Sequence, residues 1–276
     1  MANFTAADIK ALRESTGAGM MDVKKALEEA DGDRDKATEI LRIKGQKGVT
    51  KREGRTTSNG LVAAKVEDGV GTLVEVLCET DFVAKGAKFI ALADTVLAQA
   101  VATKAASAEE LLASTMPDGV SVQTLLDDAN ATIGEKIEVK RVARVEGEHV
   151  VSYLHKTSPD LPAQIGVLVA TAGGDDVIAR DIAMHIAAFS PTVLAREDVD
   201  PETVENERRI AEATAKEEGK PEAALPRIVE GRVNGYFKEN VLLEQAFAKD
   251  AKKTVAAVLT DAGATATGFA RFKVGV

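Results

Sequence analysis

Three histidines, one cysteine and a scatter of carboxylates are the residues from which this chain would have to assemble any covalent chemistry. His149 and His155 fall near an expected hairpin, while His185 lies inside the helical stretch Ile182-Ala183-Met184-His185-Ile186. No two of them have the close helical spacing of a common zinc site, and a single cysteine supplies neither a thiolate cluster nor a disulfide framework. His185 reads first as a packed histidine at the edge of a core, with a role in presenting a contact surface as the alternative. Gly17-Ala18-Gly19 and Gly173-Gly174 lack the following Lys-Ser or Lys-Thr and the preceding strand of a phosphate loop, so both read as turns. No metal and no cofactor is expected. The segment left standing is Thr80-Asp81-Phe82-Val83, where an aromatic and a carboxylate sit between an apolar strand ending at Cys78 and a helix beginning near Ala84. A short rigid junction with an aromatic at its tip suits insertion into a partner. The competing structural reading makes Thr80 the helix cap, Asp81 a charge favouring the positive helix end, and Phe82 a staple onto the sheet.

The elements that must position this junction follow from periodicity. Residues 5 to 44 read as three short helices. Thr5 caps the first, the Gly17-Ala18-Gly19 connector is tight, and Met20, Val23, Leu27 and Ala30 recur at helical spacing as a core. Residues 45 to 59 hold Lys47, Lys51, Arg52, Arg55 and three glycines, and read as a mobile basic linker; an RNA-binding tether is the alternative. From Gly60 the period becomes that of strands. Leu61 to Val66 and Thr72 to Cys78 flank Glu67-Asp68-Gly69, a hairpin signal, and a helix from about Val83 to Ala102 follows. A helix from Val122 to Ile133 leads into a strand over 137 to 145, whose alternation is interrupted near 142.

The same order recurs: Val150 to Leu154 with Ile165 to Thr171, an amphipathic helix from about Asp175 to Phe189, and a closing run from Phe269 to Val274. Two units, 60–147 and 148–276, each of three strands backed by helix, can bury one face apiece. Between the second helix and the closing strand lies a helical hairpin, 198–238. It carries nine acidic residues from Glu197 to Glu218 and breaks at Gly219-Lys220-Pro221, so it reads as an exposed antiparallel pair. The fold class is α+β.

At 276 residues the chain can bury a large core without staples, and its formal charge of −9, from 44 acidic against 35 basic residues, argues against a dedicated nucleic-acid binder. No apolar run is long enough to span a membrane, and residues 1–5 lack the order of a secretory signal. A reducing, cytoplasmic setting is expected.

Three motifs, in this order and separation, carry a family resemblance. They are Leu12-Arg13-Glu14-Ser15-Thr16-Gly17-Ala18-Gly19-Met20-Met21-Asp22-Val23-Lys24-Lys25-Ala26-Leu27, then Thr80-Asp81-Phe82-Val83-Ala84-Lys85, then His185-Ile186-Ala187-Ala188. With the closing Gly268 to Phe272 strand they closely resemble bacterial translation elongation factor Ts, the guanine-nucleotide exchange factor family acting on elongation factor Tu. The resemblance spans essentially the whole chain. It implies a three-helix ubiquitin-associated-like domain at 1–44 that holds the partner GTPase, a core of two related antiparallel sheet and helix subdomains, and a protruding antiparallel coiled coil. It also implies a C-terminal helical module at 246–263. Under it Asp81 and Phe82 press near the magnesium and phosphate site of elongation factor Tu, supported by Thr80 and Val83. Anchoring falls to Arg13, Met20, Met21 and the Gly17-Ala18-Gly19 turn, with His185 as a further contact in the core. The residues leave open a homodimer or a heterotetramer with two partner molecules. A scaffold that binds without promoting exchange remains the other reading.

Overall fold

The computed structural model describes residues 3–276, with the side chains of 46–51 outside that description. Met1 and Ala2, examined for a leader, and the Lys47 and Lys51 side chains of the basic stretch therefore lie outside the described residues. In chain order the elements are α1 (Ala6–Thr16), α2 (Met20–Glu29), α3 (Arg34–Arg52), β1 (Asn59–Glu67), β2 (Val70–Cys78), α4 (Asp81–Ala84), α5 (Ala87–Thr103), α6 (Ala108–Ala113), α7 (Val122–Ile133), β3 (Glu138–Glu146), β4 (His149–His155) and β5 (Ile165–Gly173). They continue as α8 (Asp176–Phe189), α9 (Pro201–Glu217), α10 (Leu225–Asn240), β6 (Ala246–Phe247), β7 (Asp250–Thr254), α11 (Val255–Asp261) and β8 (Ala264–Lys273). The result is a mixed structure of helices and antiparallel sheets. No helix among the described residues is long and apolar enough to cross a membrane.

Thr5 starts α1 by a reciprocal cap: its hydroxyl accepts from the Asp8 amide, and the Asp8 carboxylate accepts from the Thr5 amide at 2.8 Å. Leu12, Val23, Ala26, Leu27 and Ala37 close a small core between α1, α2 and α3. Met20 departs from its expected place in that core. It is the first residue of α2, ahead of the turn that packs, and is 58 % exposed.

The stretch expected as a mobile linker is helical through Arg52, because α3 leans on α7. Gly45 sits where a Cβ would come within 2.6 Å of the Ala131 Cβ, so the missing side chain permits the approach. Arg52 Nη1 then donates to the Asn130 carbonyl at 3.0 Å. A glycine inside a helix costs roughly 1 kcal/mol relative to alanine, and close packing offsets that cost here.

Two three-stranded antiparallel sheets, ordered β1-β2-β3 and β4-β5-β8, form the centre. Asp68 and Gly69, both at positive φ (51 and 74), turn β1 into β2. Strand β2 is buried on both faces. Val74, Val76 and Cys78 meet Phe89, Ala93 and Val96 of α5, while Leu73 meets Val62, Leu168 and Phe272 between the sheets. Glu75 alternates with Leu73 onto that second face, where Arg141 Nε donates to its Oε2 at 2.6 Å and the Arg141 guanidinium lies 4.5 Å from the Phe272 ring centroid. The interrupted alternation of the third strand is a β-bulge. Glu75 faces Arg141 and Val76 faces Val139, leaving Lys140 between them.

Two further expectations change. The helix read from Val83 to Ala102 is divided at Lys85-Gly86, where Gly86 is extended (φ −73, ψ 135) and starts α5. The module read as helical from 246 begins instead as the β6–β7 hairpin, with only Val255–Asp261 helical, because Phe247 is drawn into the core with Val255 and Leu259. Helices α9 and α10 fold back on each other, with Ala211, Val229, Val233 and Phe237 buried and Arg208–Glu230 and Arg232–Glu218 ion pairs at 2.9 and 2.7 Å.

Candidate functional site

The junction after β2 is built from two buried ends and an exposed middle. Cys78 is fully buried and its thiol donates to the Thr80 carbonyl at 3.2 Å. Burial, with the Glu135 carboxylate nearby, pushes that thiol up to about 12, so it stays protonated and structural. Thr80 is extended, and its hydroxyl accepts from Val83 N at 3.3 Å as the cap of α4. Ala84 is buried and Val83 half-buried against the β1–β3 core. Between these anchors Asp81 and Phe82 face solvent. Lys85 Nζ reaches Asp81 Oδ2 at 3.4 Å and lies 6.0 Å from the Phe82 ring centroid. Phe82 is 77 % exposed, so it is not a staple onto the sheet. A second loop, Gly134 to Ile137 between α7 and β3, ties the junction from outside its own segment through Glu135, a contact that no local sequence pattern reports.

The other predicted residues cluster in part. Arg13, Gly17 and Met20 line one groove of about 620 Å³, whose far wall is Lys88 of α5. Met21 is 61 % exposed beside it. Gly17 has a different task from the expected approach to a partner. It ends α1 at φ 69, and a Cβ on it would lie 2.3 Å from Thr132 Cγ2 of α7, so its own chain fills that space. Ala18 is packed into the small three-helix core, and Gly19 alone of the turn is exposed.

His185 is fully buried. Ala248 N donates to its Nδ1 at 3.1 Å, which leaves the proton on Nε2 to donate to Gln245 Oε1 at 2.8 Å. Burial holds the imidazole below its ordinary value, in the neutral form. The ring therefore presents no surface of its own. Phe189, stacked on it at 4.7 Å and 51 % exposed, is the side chain that reaches solvent there. Its place at the last position of an amphipathic helix was the signal available in the sequence. His149 pairs with Asp176 at 3.3 Å and His155 with the Tyr153 hydroxyl at 3.2 Å, both at the surface. Among the described residues no group of three or more His, Cys, Asp or Glu could hold a metal ion. Arg55 is engaged by Glu79 at 3.2 Å and Arg52 by the Asn130 carbonyl, which ties two side chains of the basic stretch to the chain's own groups.

Among the described residues the arrangement offers surfaces, the Asp81-Phe82 tip and the groove beside Arg13. A family model described as Elongation factor TS matches residues 79–276, beginning one residue before the junction. Proteins named Elongation factor Ts from Micrococcus luteus and Kineococcus radiotolerans are each 63 % identical to this chain, and one from Kocuria rhizophila is 61 % identical. In each case the match covers 100 % of both chains.

Proposed function

The chain belongs to the elongation factor Ts family, and from that premise we propose that it is a guanine-nucleotide exchange factor which binds elongation factor Tu and promotes GDP release during translation elongation. The observation carrying this reading is Phe82, 77 % exposed on a single helical turn pinned between buried Cys78 and Ala84. An apolar ring held out on a rigid support loses little conformational freedom when it enters a pocket. Asp81 and Phe82 act at the magnesium and phosphate site of the GTPase, Phe82 as a wedge and Asp81 as a charge that disfavours the bound phosphates. No bond is made or broken.

The thermodynamic requirement is differential binding. The factor must hold nucleotide-free elongation factor Tu more tightly than the GDP complex, and reciprocity then lowers GDP affinity by the same factor. Each tenfold of that coupling corresponds to about 1.4 kcal/mol, within reach of one buried aromatic, so larger effects draw on the rest of the interface. Arg13, Met20 and Met21 on the three-helix unit supply anchoring, and α11 with the surface around Phe189 supplies a second contact. The α9–α10 pair is assigned as the projecting coiled coil of the family.

Release of a fluorescent GDP analogue from elongation factor Tu, followed by stopped flow after adding the full chain and excess unlabelled GDP, tests the proposal. Acceleration that saturates with chain concentration supports it. Binding without acceleration would leave a scaffold in its place.

A further inference from the structure

We propose that Glu135 is a positioning residue for the exchange tip, clamping Thr80 so that Asp81 and Phe82 are presented in one orientation. The inference rests on the exchange reading and deepens it. Glu135 Oε2 accepts from two successive amides, Glu79 N at 3.1 Å and Thr80 N at 3.0 Å, while Oε1 accepts from the Thr80 hydroxyl at 2.6 Å. That hydroxyl has one proton. With the proton directed at Glu135, its lone pairs are left to accept from Val83 N, which is the bond that caps α4. One carboxylate thus sets both the backbone entering the tip and the rotor that starts its helical turn.

The clamp itself is anchored. Gly134 ends α7 in the left-handed conformation (φ 87), and Ile137, fixed by Asn130 Oδ1 accepting from its amide at 2.6 Å, is buried. The loop also returns the contact, since Lys136 N donates to Glu79 Oε1 at 2.6 Å. The Glu79-Thr80 and Glu135-Lys136 segments, more than fifty residues apart in sequence, therefore exchange hydrogen bonds in both directions. An external tie is needed because α4 has four residues, and a single helical turn is unfavourable to form without outside support.

The test uses the full chain. It has no tryptophan, so Phe82→Trp supplies one fluorophore at the tip for time-resolved anisotropy, while GDP release is measured in proteins that keep Phe82. Glu135→Ala should increase the fast, large-amplitude depolarisation of Trp at 82 and lower the saturating rate of GDP release by roughly tenfold, about 1.4 kcal/mol, leaving the half-saturating concentration little changed. Glu135→Gln should recover most of that rate. Its amide oxygen can accept the two backbone N–H groups and its NH₂ can donate to the Thr80 oxygen. Adding Thr80→Val to Glu135→Ala should cost only what the lost Val83 N cap adds, because the contact shared with Glu135 is already gone. If Glu135→Ala fails to fold, Glu135→Asp carries the same two measurements: its shorter side chain cannot reach the two amides and the Thr80 hydroxyl together, and the Val83 N cap stays in place. Unchanged anisotropy, or a saturating rate retained by Glu135→Ala, overturns the positioning role. Failure of the exchange reading looks different: wild-type chain would not accelerate release at all, whatever the anisotropy did.

Discussion

Replacing Gly17 by alanine should loosen the three-helix unit from the rest of the molecule, by two separable costs. The first is conformational. Gly17 sits at φ 69, and a non-glycine residue held in the left-handed region costs about 1–2 kcal/mol. The second is steric. The new Cβ would lie 2.3 Å from Thr132 Cγ2, an overlap that α1 or α7 must move to relieve, at about 1–3 kcal/mol for overpacking of this kind. Thr132 also donates to the Thr16 carbonyl at 3.4 Å, so the movement strains a contact between the same two helices. The sum is about 2–5 kcal/mol, taken partly by the turn and partly by the α1–α7 docking. Hydrogen exchange should show it as faster exchange in α1 and in the last turn of α7, with the β2 amides unaffected. The rescue is specific: Thr132→Ser removes the overlapping methyl, so Gly17→Ala with Thr132→Ser should regain the steric part and retain the conformational part. If the single variant exchanges like wild type, or if the serine restores nothing, the packing assigned to Gly17 is wrong.

Other outcomes follow from the buried groups. His185 is held below 6.5 by burial, so the unfolded chain takes up its proton first as pH falls. Its contribution is complete above about pH 6.5, is lost as pH falls from there toward the folded value, and changes no further below that value. Urea unfolding between pH 7.5 and 5 should show this slope in wild type and a smaller one in His185→Gln; equal slopes would contradict the assignment. Cys78, with its thiol at about 12 and no exposed surface, should resist a disulfide reagent in the native protein at pH 8 and react after denaturation. Rapid native labelling would refute the buried hydrogen bond to Thr80.

Much of the fold was legible because local chemistry and tertiary demand coincide. The Thr5 cap, the Asp68-Gly69 turn and the alternating strands need only neighbouring residues to be understood, and each fell where its pattern placed it. The failures have two causes, a long-range contact that reverses a local preference and, at Met20, a helix that starts ahead of its packed turn. Gly45 reads as a linker glycine, yet it is the residue that lets α3 close on α7. Met20 has core spacing, yet α2 begins at it before the packed turn. At the junction, the exposed Asp81-Phe82 pair and the Thr80 cap were visible from the strand-to-helix change. Glu135 was not, since it meets Thr80 across a separation that no periodicity reports. His185 read as a packed histidine and is one; what the pattern did not give is its partners, Gln245 and Ala248, which arrive from beyond the α9–α10 pair.

On the proposed reading the ring of Phe82, and not the bulk of the interface, displaces the nucleotide. The direct measurement compares wild type with Phe82→Ala in stopped-flow GDP release across a full range of chain concentrations, beside their affinities for nucleotide-free elongation factor Tu. Removing a residue that is 77 % exposed in the free protein should leave its melting temperature unchanged. The expected outcome is a saturating release rate lowered at least tenfold, about 1.4 kcal/mol or more on the release barrier, with most of the affinity for the nucleotide-free partner kept through the three-helix unit and the core. A Phe82→Ala chain that releases GDP as fast as wild type would contradict it.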